Sequence, residues 1–332
     1  MFPKFHNQSG LKIVIYNWCF DHLFHRISVL NTSSPHTHLP RSSHRNPISA
    51  AILLFFLLLF TSPACAAKVL IVGDTQYALV AEVASEIQLT LRSQGREYAT
   101  SEIRGRLGAV VEQEDAQVVV ALGMDAVAEA LRLPPEIAVV YGLVVVPPKS
   151  GRENVTGVYM SPPVSEYVAT LRHYLPALGK VSVVGSQAMI KSLGGDSGQV
   201  AAYHVGSSSD LVTTVNRLAD TRALLLLPEA NLLTTQVMSN VYLFSFRKNI
   251  PLLGISEAHV KQGSLFALVF DSKAVSRQIG EKVQSILNGT DAGEIPSSPP
   301  RKYNLYINSN TAHKMGIDMP DEMLKKAKKV YQ

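Results

Sequence analysis

Residues able to recognise a small molecule follow the short apolar runs of this 332-residue chain, one set behind each run. Behind "KVLIVG" come Asp74, Thr75, Gln76 and Tyr77; behind "QVVVALG" come Met124 and Asp125; Tyr141 stands near the end of "EIAVVYG". Further along, Ser186 and Gln187 follow "KVSVVG", Glu229 and Asn231 follow "ALLLLP", and Ser256 and Glu257 follow "IPLLG". The chemistry these side chains offer is binding. An Asp or Glu can hold an ammonium group, Ser or Gln together with helix N-terminal N–H groups can hold a carboxylate, and Tyr77 or Tyr141 can cover an apolar or aromatic part. Each residue also has an ordinary reading: Asp74 and Asp125 as helix N-caps, Glu229 as a first-turn charge on a helix dipole, Tyr141 as core.

Catalysis finds less support in the same residues. "GGDSG" at Gly194–Gly198 superficially resembles a serine-protease nucleophile loop, yet that chemistry needs a base and an orienting carboxylate, and the segment falls between α/β elements. The turn at Gly73 carries neither G-x-G-x-x-G nor a Walker A lysine, so neither a nucleotide nor a dinucleotide cofactor is implied. His173, His204, His259 and His313 show no metal-ligand spacing. The reading is therefore of a protein without catalytic residues, cofactor or metal, with a flavodoxin-like enzyme as the formal alternative.

A hydrophobic fraction of 46% with 17% charged residues describes a folded globular chain. Residues 1–66 hold five of the 31 basic residues and one of the 26 acidic ones, so the positive net charge lies mostly in the leader and the remainder is close to neutral. With no basic block between Lys68 and Arg301, the electrostatic footprint of a nucleic-acid partner is missing. Lys325, Lys326, Lys328 and Lys329 read as the solvated last turn of a C-terminal helix.

The leader has its own pattern. "AAILLFFLLLF" at Ala50–Phe60 is an apolar run of eleven residues, preceded by Arg41 and Arg45 and followed by "TSPACAA", where Ala64 and Ala66 supply an A-x-A cleavage site. A transmembrane helix needs about 20 apolar residues, so residues 48–66 are expected to be a signal peptide, cleaved near Ala66, that sends the protein to the periplasm or another extracytoplasmic space. Lipid anchoring at Cys65 is the less favoured reading, because Ser62 and Pro63 are poor residues for the positions ahead of it. Residues 1–47, with six of the ten His and the only Trp, are expected to be a mis-called or unstructured extension. Cleavage after Ala66 would remove Cys19 and Cys65 and leave a mature chain without cysteine, hence without disulfides or thiolate chemistry.

From Ala67 onward, strand and helix patterns alternate. Continuous apolar runs ending in Gly, such as Lys68–Gly73 and Gln117–Gly123, read as buried parallel strands. Helical spacing follows, for instance Val80, Val83, Ala84, Ile87 and Leu91 up to the stop at Gln94-Gly95. After Pro147-Pro148 comes "NVTGVYM" (Asn154–Met160), whose first three residues form a glycosylation sequon, and then the βα rhythm restarts. Two similar α/β lobes are implied, with "NVTGVYM" as a crossover and Gly157 supplying backbone latitude. "SLFALVFD" at Ser264–Asp271 is read as a strand leading into a helix capped by Asp271 or Ser272.

"NVTGVYMSPPVSEYVATLRHYLPALGKVSVV", "GISEAHVKQGSLFALVFDSKAVSRQIGEKVQSILNGTDAGEIP" and "LYINSNTAHKMGIDMPDEMLKKA" are similar, in order and spacing, to the ABC-transporter substrate-binding protein family, in particular to its tryptophan- and tyrosine-binding lipoprotein type. The resemblance runs from about Asn154 to the end. It implies the type I periplasmic-binding fold: two doubly wound parallel-sheet lobes joined by three crossovers, with lobe one at 67–157 plus 263–302 and lobe two at 158–262 plus 303–332. It further implies a monomer that captures a small solute, such as an amino acid or related compound, and delivers it to a membrane permease. A sensor with the same cleft but no transport role is the alternative; with no signalling segment in the sequence after Gln332, a free receptor is preferred. One departure bears on the ligand. The family commonly carries an Asp-Pro element after the fourth strand where this chain reads "YGLVVVPP", so an aromatic amino acid ligand is not specifically supported.

Overall fold

The computed structural model describes residues 68–332 apart from residue 93; the expected extension, signal peptide and cleavage site lie outside the described residues. Lobe one is built on a five-stranded parallel sheet in the order β2-β1-β3-β4-β5. Its strands are β1 (Val69–Val72), β2 (Gly95–Tyr98), β3 (Val118–Leu122), β4 (Ala138–Val144) and β5 (Val155–Tyr159). Because both faces are covered, β1, β3 and β4 are buried at every position, as their continuous runs without a charged residue require. Helix α1 (Ala78–Thr90) packs on one face, α2 (Thr100–Ile103), α3 (Leu107–Gln113) and α4 (Met124–Ala130) on the other.

The larger sheet of lobe two runs β12-β11-β10-β9-β8-β6-β7. In chain order it comprises β6 (Val181–Gly185), β7 (Ala201–His204), β8 (Ala223–Leu226), β9 (Leu252–Gly254), β10 (Phe266–Phe270), β11 (Tyr303–Asn308) and β12 (Lys329–Tyr331). Its helices are α5 (Val164–Tyr174), α6 (Gln187–Ser192), α7 (Ser208–Asn216), α8 (Thr235–Lys248) and α9 (Glu257–Gln262), with α11 (Ser309–Lys314) and α12 (Asp321–Lys326) beyond β11. The remaining helix, α10 (Ser272–Leu287), belongs to lobe one: Val275, Ile279 and Val283, one face at helical spacing, are buried there beside Val83 and Ile87 of α1.

Four features depart from the sequence reading. The sequence places Ser264–Asp271 with lobe one, but β10 pairs in parallel with β9 and antiparallel with β11, so the chain crosses back at Phe270–Asp271 instead of near Gly263. The physical reason is local: β9, α9 and β10 form one short βαβ unit, and such strands pair as neighbours. The antiparallel β10–β11 pair is the exception to an otherwise parallel fold. The lysine cluster is split, with Lys325 and Lys326 in the last turn of α12 and Lys329 starting edge strand β12, which pairs with β11. Finally, β5 is an edge strand of lobe one, with the crossing just after it at Met160–Pro162.

Gly157 is needed for close approach rather than for hinge latitude. A Cβ there would lie 2.5 Å from the Tyr141 ring and closer still to the Tyr141 carbonyl oxygen. The crossovers are tied laterally: the Ser298 N–H donates to the Gly157 carbonyl at 3.1 Å, and the Asp271 N–H to the Lys302 carbonyl at 3.1 Å. The sequon is absorbed by the same region. Asn154 Nδ2 donates to the Ile137 carbonyl at 2.6 Å and its Oδ1 accepts from Arg152 Nε at 3.1 Å, so both ends of the amide hold the entry to β5.

Candidate functional site

Parallel strands deliver their carboxyl ends to one side of a sheet, and in this chain the crossovers set those of the two sheets around a shared cleft. At the end of β4 the ladder slips: the register with β5 shifts between Tyr141 and Val144, and Leu143 sits at φ 55°, in the left-handed region. This bulge re-aims the chain, so that Val145 to Lys149 run along the cleft wall. The Val144 and Val145 carbonyls then accept the N–H groups of Met160 and Ser161 at 2.7 and 3.2 Å, which fixes the first crossover against the wall.

Two adjoining cavities result, with Val145 common to both. The outer one, about 280 Å³, lies between the lobes: Met124 and the 145–149 segment form one side, and Ser186, Ala188, Met189 and Ser192 of α6 and its cap form the other. The inner one, about 180 Å³, lies over the strand ends of lobe two, bounded by Met160–Pro162, Leu225, Leu227, Ile255 and Phe270. Tyr167 presents its ring to the inner cavity while its hydroxyl donates to the Gly254 carbonyl at 2.9 Å. Full burial pushes the phenol well above its ordinary range.

Of the thirteen strand-end candidates from sequence, Met124 and Ser186 line the outer cavity and Ser256 the inner one, and Met124 is 56% exposed. Tyr77 is exposed at the carboxyl end of lobe one's sheet, and Gln187 and Asn231 are exposed in lobe two. Tyr141 is placed elsewhere: it is 1% exposed, stacked over Gly157 in the core, and desolvation pushes its phenol up to about 12.

Each candidate carboxylate has a partner within the protein, loosely at Asp74 and the exposed Asp125 and firmly at Glu229 and Glu257. Asp74 accepts the Ser101 N–H at 3.3 Å, and Asp125 lies 3.8 Å from the Arg104 guanidinium. Glu229 is buried with Oε1 accepting the Ser186 N–H at 2.7 Å, a geometry that Gly185 permits because any Cβ there would meet that oxygen. Glu257 turns to the sheet edge, where the Tyr331 hydroxyl and then the Lys261 ammonium hold its carboxyl below the ordinary range.

Several lining residues escaped the sequence reading, notably Val145–Lys149, Met160–Pro162 and the Ala188–Ser192 face of α6. The available signal was "VVVPPK": a strand end that runs into consecutive prolines cannot continue its ladder, so it must leave the sheet at the side where ligands bind. "GGDSG" forms the turn between α6 and β7. Among the described residues, no group of three or more His, Cys, Asp and Glu is placed to hold a metal ion, and no helix is long and apolar enough to cross a membrane.

Comparison with known proteins agrees with this architecture. A conserved domain protein from Vibrio cholerae O1 biovar El Tor aligns with a TM-score of 0.52 at 17% identity, covering 80% of this chain and 99% of its own. The ligand-free, open structure of a substrate-binding protein with adhesive properties from Clostridium difficile aligns with a TM-score of 0.59 at 14% identity, with the same coverage. At such identities these likenesses speak to the fold, that of type I periplasmic-binding proteins. No curated protein matches the sequence. The family described as ABC transporter substrate binding protein matches residues 137–331, which run from β4 through every strand of lobe two and make up more than half of the sequence; the chain belongs to the ABC transporter substrate-binding protein family.

Proposed function

We propose that the protein is exported, captures a small solute in the cleft between its lobes, and presents it to a membrane permease. The observation that carries this reading is the outer cavity, whose walls come from both lobes: Met124 and Lys149 from one, Ser186 and Ser192 from the other. A solute touching both walls makes contacts that a separated pair of lobes cannot make, so its binding favours the closed arrangement. The three crossovers at Met160–Pro162, Phe270–Asp271 and Pro299–Lys302 are short enough for the lobes to move as units about them. Delivery to a permease follows from family membership and needs no chemistry from this chain.

The test is a thermal-shift screen against amino acids, aromatic and aliphatic acids, sugars, purines and small peptides. A ligand at 100 times its dissociation constant adds about 2.7 kcal/mol to stability. Ala188 is exposed on α6 and faces the outer cavity, so Ala188→Trp fills that space without crowding the core. A selective shift in the native protein that is lost in Ala188→Trp supports the reading; a shift unchanged by the substitution places the ligand elsewhere and contradicts it.

A further inference from the structure

The charge distribution around the cleft narrows the class of solute. Neither cavity is lined by an acidic side chain, and the inner one is lined by no charged side chain at all. Of the carboxylates next in sequence to lining residues, Asp125 follows Met124 but lies outside the lining, exposed and 3.8 Å from the Arg104 guanidinium, and the other three are bound to the protein itself. Glu229 follows the lining residue Pro228 but accepts the Ser186 N–H; Asp271 follows the lining residue Phe270 but accepts the Ala274 N–H at 3.0 Å and the Asn304 amide at 3.3 Å. Glu257 follows the lining residue Ser256 but is held by Tyr331 and Lys261.

The one charged residue that lines either cavity is positive. Lys149 lines the outer cavity, is exposed, and has no acidic partner within ion-pair distance among the described residues. The lining hydroxyls of Ser186 and Ser256 cap helices and that of Ser192 donates to the Ala188 carbonyl. Ser161 remains, at the junction of the two cavities beside Val145.

Resting on the cleft being the solute site, we infer that the ligand is a small hydrophobic carboxylate without an α-ammonium group. Its apolar body occupies the inner cavity. An apolar cavity of about 150 Å³ accommodates a benzene ring, so the roughly 180 Å³ here suits one aromatic ring or a short alkyl chain. Its carboxylate points outward to Lys149. An ammonium group would be carried into a site where no acidic side chain compensates its lost hydration, and this penalty separates the acid from the corresponding amino acid.

The experiment is isothermal titration of the full chain with three matched pairs: phenylpropionate and phenylalanine, indolepropionate and tryptophan, octanoate and aminooctanoate. At least one acid is expected to bind at least tenfold more tightly than its amino counterpart. Lys149→Ala should weaken that acid by roughly two- to fivefold, the upper range for an exposed ion pair, and Lys149→Arg should restore it. An amino acid that binds as tightly as its deaminated partner overturns the inference, as does acid binding indifferent to Lys149→Ala. If none of the six binds while a sugar or purine does, the inferred class is wrong and the solute-receptor reading stands. If no solute of the wider panel binds either, both fall.

Discussion

Glu229 Oε1 accepts the backbone N–H of Ser186 at 2.7 Å, joining the loop after β8 to the first turn beyond β6. Two residues that sequence suggests as ligand contacts are thus bonded to each other, and the bond sets where α6 begins. The helix wall of the cleft depends on it, since Ala188, Met189 and Ser192 lie within the next two turns.

Glu229→Ala should therefore lower stability. It leaves the Ser186 N–H without its acceptor and a gap beside Gly185, at a cost of about 1 to 3 kcal/mol. Glu229→Gln keeps an acceptor oxygen and should lose less than the alanine variant. Urea denaturation of both variants checks this. A carboxylate acting as a ligand contact alone would leave the stability of the unliganded protein unchanged in both.

The close approach of Gly157 to Tyr141 gives the same substitution opposite signs at two sites. Gly157→Ala forces a methyl group into the Tyr141 ring and should cost about 1 to 3 kcal/mol through overpacking. Gly108, in α3, has nothing within 4 Å of where its Cβ would stand and no positive φ, so Gly108→Ala should raise stability by about 0.4 to 1 kcal/mol. Melting temperatures of the two variants against the native protein decide the matter.

Tyr141 predicts a response to alkaline pH. Its hydroxyl is buried and no described residue meets it in hydrogen-bond geometry; burial pushes the phenol up to about 12 from 10.0, an effect that the nearby Ser297 side chain partly offsets. The unfolded chain releases this proton near pH 10, whereas the folded one retains it until about pH 12. The contribution is therefore intact below pH 10 and is lost as pH rises through that window. In Tyr141→Phe the decline in stability over this range should be shallower, while stability at pH 7 should be unchanged or higher because an unpaired buried hydroxyl is gone. Denaturation curves from pH 7 to 12 measure both effects.

The two lobes are legible in sequence because buried parallel strands leave unbroken apolar runs, as "KVLIVG" and "QVVVALG" do. What escaped lies at edges. The strand "GREY" at β2 is half exposed and polar, so it carries no apolar signature, and β12 shows only one Val between Lys329 and Tyr331. Strand β10 reads correctly as a strand but not as to its lobe, because pairing partners are not encoded in one segment's pattern. The site was half visible for a related reason. The carboxyl-end rule finds Met124, Ser186 and Ser256, but it cannot say that Asp74, Glu229 and Glu257 bond to Ser101, Ser186 and Tyr331. Those partners are distant in sequence, and only the fold brings them together.

Solute capture between the lobes is tested most directly by cross-linking across the cleft. Met124 and Ala188 are both exposed and line opposite walls of the outer cavity. With Cys19 and Cys65 replaced by Ser, the pair Met124→Cys and Ala188→Cys carries the only thiols in the chain. A saturating solute identified by the thermal-shift screen should accelerate cross-linking of this pair by a short bifunctional maleimide, relative to the labelling rates of the two single-cysteine variants with the same solute bound. A cross-linking rate indifferent to bound solute would contradict closure of the two lobes on their ligand.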